Sequence, residues 1–211
     1  MFHRDLIFLV ADSNMEQTVR GLMSRPRSLG IRQGITFDII RHPRHDPGVF
    51  RGAHEYLRNL QNNYRYALVM FDRVGCGKEA GKSASELEAE VEERLQQAGW
   101  RDRCAAIALD PELEIWVFAR SSHVIEVIAN NDEELYRKFL GYAKKDSSGK
   151  PIDPKNVMEQ LLRKAKIPRS SSLYGELARK VGLESCQDRA FGKFKRVLQE
   201  WFSAGDRQQA E

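Results

Sequence analysis

Three aspartates close three short apolar runs: Asp12 in IFLVAD, Asp72 in ALVMFD and Asp110 in AAIALD. Glu112 and Glu114 follow the last run at alternate positions, and Glu16 stands four residues after Asp12. Short apolar runs bounded by polar residues read as buried strands. In an open parallel sheet, ligands gather outside the carboxyl ends of the strands. Acids at that edge are candidate ligands for a hard divalent cation, Mg²⁺ or Mn²⁺, which takes carboxylate oxygens. Each acid also has a plainer role. Asp12 and Asp110 can cap the helices that follow them, and Glu112 can sit at a positive helix N-terminus. Glu112 and Glu114 cannot face one point from a helix, where neighbours are three or four apart; an extended segment would aim both the same way.

The elements that must carry these acids alternate. Strands are predicted over residues 5–11, 35–40, 66–72 and 104–110, the third apolar throughout as a central parallel strand is, and the fourth again apolar. Ser13 or Asn14 can cap a helix to residue 23. Residues 41–48 hold two prolines and read as a loop, followed by a helix over 49–61. A Gly- and Lys-rich loop spans 73–82. Ser83 with Glu86 forms a capping-box pattern for a helix to about residue 98, where Gly99 can end it. Beyond Asp110 the pattern is helical: 111–119 from Pro111, 123–128, 132–143, 155–166, 172–181 and 189–202. A polar loop is expected at 146–154 and a frayed end at 205–211. The expected fold is α/β, with a roughly four-stranded, mostly parallel sheet flanked by helices. Residues 1–119 form the core, and 120–211 a helical extension packed on it.

Composition suits a globular chain: 41% hydrophobic and 30% charged residues among 211. No apolar run approaches the roughly 20 residues of a membrane helix. The apolar start meets Asp12 too early for a signal peptide and lacks a small-residue cleavage site, so it reads as a first strand. Three widely spaced cysteines, Cys76, Cys104 and Cys186, make neither a zinc pattern nor a disulfide framework, which fits a reducing cytoplasm. Charge is uneven. Residues 1–119 carry 16 Lys/Arg against 17 Asp/Glu, whereas 163–196 carry ten against three. That basic stretch, with Lys193, Lys195 and Arg196, could meet nucleic acid, although a solvated helical surface accounts for it more simply.

Other residues carry weaker signals. Gly75 to Ser83 follows a strand and opens a helix, but neither Gly75 nor Gly77 has the four-residue spacing to Gly81 that a phosphate loop requires. Lys78 and Lys82 could still meet phosphate as point charges. His42 and His45 could bind metal or phosphate; two nitrogen ligands in a proline-containing loop read more simply as solvated. His123 reads as structural. Cys76, between glycines and near Lys78, reads as exposed. Trp100, Trp116 and Trp201 are expected between helices and sheet.

Taken together, Val10-Ala11-Asp12-Ser13-Asn14-Met15-Glu16, Met70-Phe71-Asp72-Arg73-Val74-Gly75 and the Glu114-x-Trp116 step resemble the three acidic signatures of Toprim-like proteins. That is the divalent-metal domain of topoisomerases, primases and some nucleases. Arg169 to Tyr174 and Cys186 to Phe191 resemble the helical end of small Toprim-related proteins found near bacterial phage-defence and restriction genes. The resemblance implies Asp12, Asp72 and Glu114 as metal ligands, to which Asp110 is added by its place at the same strand-end edge, with Glu16 or Glu112 as general base, phosphodiester chemistry on nucleic acid, and other defence proteins as partners. Two departures stand out. Asp12 replaces a glutamate, and Val74 replaces the second acid of the second signature. Their loss implies the alternative of a catalytically degenerate interaction subunit.

Overall fold

The computed structural model describes residues 2–119, 121–184 and 186–204. Its four strands are β1 (Arg4–Val10), β2 (Phe37–Arg41), β3 (Tyr64–Asp72) and β4 (Cys104–Leu109). All pair in parallel, in the order β2-β1-β3-β4. The middle strands β1 and β3 are apolar because both faces are covered. Leu6 to Val10 and Ala67 to Phe71 are fully buried.

Helices α1 (Ser13–Met23), α2 (Pro26–Leu29), α3 (His45–Leu57) and α4 (Ala84–Leu95) fall among the strands. Side chains of a strand alternate between faces. On β3, Phe71 meets Phe50 of α3 at 5.7 Å between ring centres, whereas Tyr66 stacks on Trp201 at 4.6 Å. Trp201 ends α10 (Arg189–Trp201), so α3 and α10 lie on opposite faces. The chain moves from β1 to β2 on one side and returns past β1 to β3 on the other. The order therefore reverses between β1 and β3, and ligands bind at such a switch point.

The helical end contains α5 (Glu114–Val117), α6 (Ser122–Ala129), α7 (Glu133–Tyr142), α8 (Pro154–Lys164), α9 (Ser171–Lys180) and α10. Helix α9 lies tightly along α1. A Cβ at Gly21 would stand 2.6 Å from the Cβ of Ala178 and 2.7 Å from the carbonyl of Gly175, so only glycine permits that approach. No helix among the described residues is long and apolar enough to cross a membrane.

Several expectations need correction. Residues 41–48 are not all loop, because α3 begins at His45 and includes Pro47. Proline is tolerated in a first turn, where its missing N–H has no helical partner. Pro111 does not start a helix; a turn intervenes and α5 is only Glu114–Val117. Asp12, not Ser13 or Asn14, caps α1, its Oδ1 accepting the N–H of Met15 at 2.9 Å. Strand β2 begins at Phe37, since Thr36 already bonds Asp5. The Ser83–Glu86 capping box is present in full. Trp100 is buried, and Trp116 packs edge-on against Phe191, as expected of core tryptophans. Cys76 is buried rather than exposed, and burial pushes its thiol up from its ordinary value. Residues 205–211 lie outside the described residues.

Candidate metal centre

Strand register sets the site. Val10 pairs with Met70, so Asp12 and Asp72 stand level, two residues past that rung. Asp72 pairs with Leu109, which places the 110–114 turn beside it. Two backbone bonds then hold the turn: Arg73 N–H donates to Leu109 O at 2.8 Å, and Val74 N–H to Pro111 O at 3.0 Å. The Asp72 carboxylate completes the clamp by accepting the Leu113 N–H at 2.9 Å. With Leu113 pinned, its two neighbours converge. Oxygens of Asp72, Glu112 and Glu114 all lie within 4.8 Å of one another. Glu112 precedes the helix, so helical spacing does not keep it from Glu114's side.

Oxygens on opposite sides of a Mg²⁺ ion stand about 4.2 Å apart, and around Ca²⁺ nearly 5 Å. Three oxygens within 4.8 Å of one another can close on an ion of either size with small side-chain movements. The electrostatics favour a cation. Burial, followed by the charges of Asp46, Glu114, Asp12 and Glu112, raises the Asp72 carboxyl well above the ordinary aspartate value. Burial and Glu114 raise Glu112, against the pull of Lys155. Burial and Asp12 raise Asp46, whose Oδ1 accepts the Asp72 N–H at 2.8 Å. Carboxyls crowded in this way hold their protons more tightly, and a divalent cation binding among them would displace those protons and relieve the repulsion.

The protein supplies part of the countercharge itself. Glu114, only 3% exposed, accepts from Tyr174 Oη at 2.6 Å and from Arg169 Nη2 at 3.2 Å. Glu112 accepts the Lys155 N–H at 3.2 Å, with the Lys155 ammonium 3.9 Å away.

The remaining candidates are placed as follows. Asp12 caps α1 near enough to influence Asp72 but outside the triad. Glu16 is held by Arg20 at 2.9 Å and Arg41 at 3.3 Å. Asp110 turns outward to Arg73 at 2.7 Å. Lys78 is exposed, and Lys82 pairs with Glu90. Lys193 reaches inward to Glu88 and Glu92, at 3.1 and 2.7 Å. Lys195 is half-buried and Arg196 exposed. Sequence reasoning missed Asp46, Lys155 and the role of Tyr174. An acid in the first turn of a helix that follows a strand was the available signal for Asp46. It was hidden by the prolines on either side.

Comparisons with protein-family models, with curated proteins and with solved structures find no match to the chain.

Proposed function

We propose that Asp72, Glu112 and Glu114 hold a divalent cation, Mg²⁺ or Mn²⁺, in a Toprim-like frame that acts on nucleic acid within a bacterial anti-phage defence system. The observation that carries the metal reading is the convergence of three carboxylates within 4.8 Å at the switch-point edge. The nucleic-acid and defence roles rest on the resemblance of the acidic signatures and of the helical end. A bound cation of this kind polarises a phosphoryl oxygen or activates water. The chain's own residues do the rest. Asp72 holds the 110–114 turn, Tyr174 and Arg169 orient Glu114, and the Lys155 N–H orients Glu112. Glu16, the other candidate base, lies outside the triad and is engaged by Arg20 and Arg41.

A Mn²⁺ titration of the full chain, with cleavage assays on single- and double-stranded DNA and RNA, tests this. Saturable Mn²⁺ binding lost in Asp72→Ala is expected; equal binding by both proteins refutes it.

A second reading has its own support. Arg169 and Lys155 already neutralise Glu114 and Glu112, and Val74, where the resemblance calls for an acid, is 47% exposed. On that reading the protein is a degenerate interaction subunit of a multiprotein defence complex. Stable co-purification with the other proteins of that complex and no metal affinity would favour it.

A further inference from the structure

A second polar pocket opens near the same sheet edge, where β2 ends. It has a volume of about 520 Å³ and is lined by His42, Arg44, Arg51 and Tyr56, with Gly48, Gly52 and Glu55 among the rest. His42 follows β2, its N–H donating to Val10 O at 2.9 Å. The sequence suggested a solvated histidine, yet His42 is only 8% exposed. Its ring lies against α3 because the helix has glycine there: a Cβ at Gly48 would stand 2.1 Å from Nδ1. The ring also packs on Tyr56, 4.9 Å between centres.

Orientation of the imidazole is fixed. The Arg44 N–H donates to Nδ1 at 3.1 Å, so the neutral ring carries its proton on Nε2. Burial, then Arg44 and His45, lower the His42 pKa and keep the ring neutral. Nε2 lies 3.6 Å from the Cβ position of Gly52, which lines the pocket, and no acceptor among the described residues bonds it. Nε2 is not sealed from solvent, so its N–H can be met by water or by a ligand oxygen entering the pocket. Arg44 and Arg51 line the same pocket, and a guanidinium matches phosphate oxygens with paired donors. Arg51 also touches the loop that carries Lys78: its Nη2 is 2.8 Å from the Cβ position of Gly77.

We propose that this pocket is a phosphate subsite, in which His42 Nε2–H, Arg44 and Arg51 bind the oxygens of a phosphate group beside the Tyr56 ring. That the phosphate belongs to a nucleic-acid strand rests on the function proposed above; the subsite itself does not. Tyr56 is 43% exposed and can stack a base next to the bound phosphate.

The test is calorimetric titration of the full chain in EDTA with three probes: inorganic phosphate, thymidine monophosphate and a 12-nucleotide DNA strand. Each lost charge-assisted hydrogen bond weakens binding about tenfold or more. Arg44→Gln/Arg51→Gln should therefore weaken every probe that binds by at least tenfold. For the DNA strand it should also reduce the slope of log affinity against log salt by about 0.7 to 1.4. Gly52→Leu, which fills the pocket without removing charge, should weaken the same probes and guards against misfolding of the double variant. Strand and nucleotide binding together assign the phosphate to nucleic acid, and binding of inorganic phosphate alone assigns it to a free anion. No probe bound by the parent protein, or equal binding by parent and both variants, overturns the proposal. Failure of the metal reading looks different: Mn²⁺ is not bound, yet phosphate affinity in EDTA persists.

Discussion

Replacing Asp72 by asparagine should make the protein more stable and unable to respond to metal. Asparagine keeps an Oδ1 that can accept the Leu113 N–H, so the clamp on the 110–114 turn survives. What disappears is a charge among charges. Two carboxylates 4.8 Å apart repel by about 3.5 kcal/mol at an effective dielectric of 20. Asp72 relieves part of this by holding its proton, so the net gain at pH 8 should be roughly 1–3 kcal/mol. The pH dependence has a definite sign. The folded carboxyl is raised, so the native state binds protons more tightly than the unfolded chain. Stability from that group is present at low pH and lost as pH rises from about 3.9, the solvated aspartate value, through the raised folded value. Asp72→Asn removes the loss, so its advantage should be small near pH 4 and largest at pH 8. Urea denaturation in EDTA at both pH values measures it. Adding Mn²⁺ at 100 times its dissociation constant should stabilise the parent by about 2.7 kcal/mol and leave the variant unchanged. A variant less stable than the parent at pH 8, or stabilised equally by Mn²⁺, would refute the account of the acid cluster.

Tyr174→Phe leaves the buried Glu114 without its shortest bond and should cost about 1–3 kcal/mol in urea denaturation, with Mn²⁺ affinity changed. Arg189→Leu removes two bonds at 2.9 Å from Glu88, which is 2% exposed but keeps the Lys193 ammonium at 3.1 Å; a loss of about 1–3 kcal/mol is expected, partly restored by adding Glu88→Gln. Lys195→Gln, by contrast, should change stability by no more than about 0.5 kcal/mol. Val74→Glu should raise Mn²⁺ affinity on the order of tenfold by adding a carboxylate next to Glu112; unchanged affinity would mean that position 74 does not serve the cluster.

The strands that position the site were legible because their burial is complete. Val69 and Ile107 are enclosed from both sides, and no amphipathic pattern competes with the strand reading. Ser83 and Glu86 were legible because a capping box is a local exchange of hydrogen bonds. Misreadings arose where a distant partner decided the outcome. Pro43 and Pro47 suggested a loop, yet Pro47 occupies the first turn of α3, and that turn carries Asp46 to the backbone of Asp72. Glu16 follows Asp12 at a spacing suited to one site, but Arg41, at the end of the neighbouring strand, draws it aside. His42 looked solvated because nothing local announces that two glycines of α3 make room for its ring.

The basic excess of the helical end also changes meaning in three dimensions. Of the ten cationic residues between 163 and 196, Arg169 goes to Glu114 and Glu159, Lys180 to Glu126 and Glu176, and Arg189 and Lys193 to Glu88. Four charges counted from sequence as available to a polyanion are thus engaged by the protein, and a basic face is weakened accordingly. Two of the contacts to the acid cluster come from the same region: Arg169 just before α9, and Tyr174 within it. Since α9 is held against α1 by the glycine crossing, the helix that follows the Asp12 cap is tied to the one that neutralises Glu114. Displacing α9 would therefore deprive Glu114 of both its partners at once. The cluster would then hold more uncompensated negative charge and would attract a divalent cation more strongly. Metal affinity in this protein should accordingly rise with any change that loosens α9 while leaving β3 and the 110–114 turn intact.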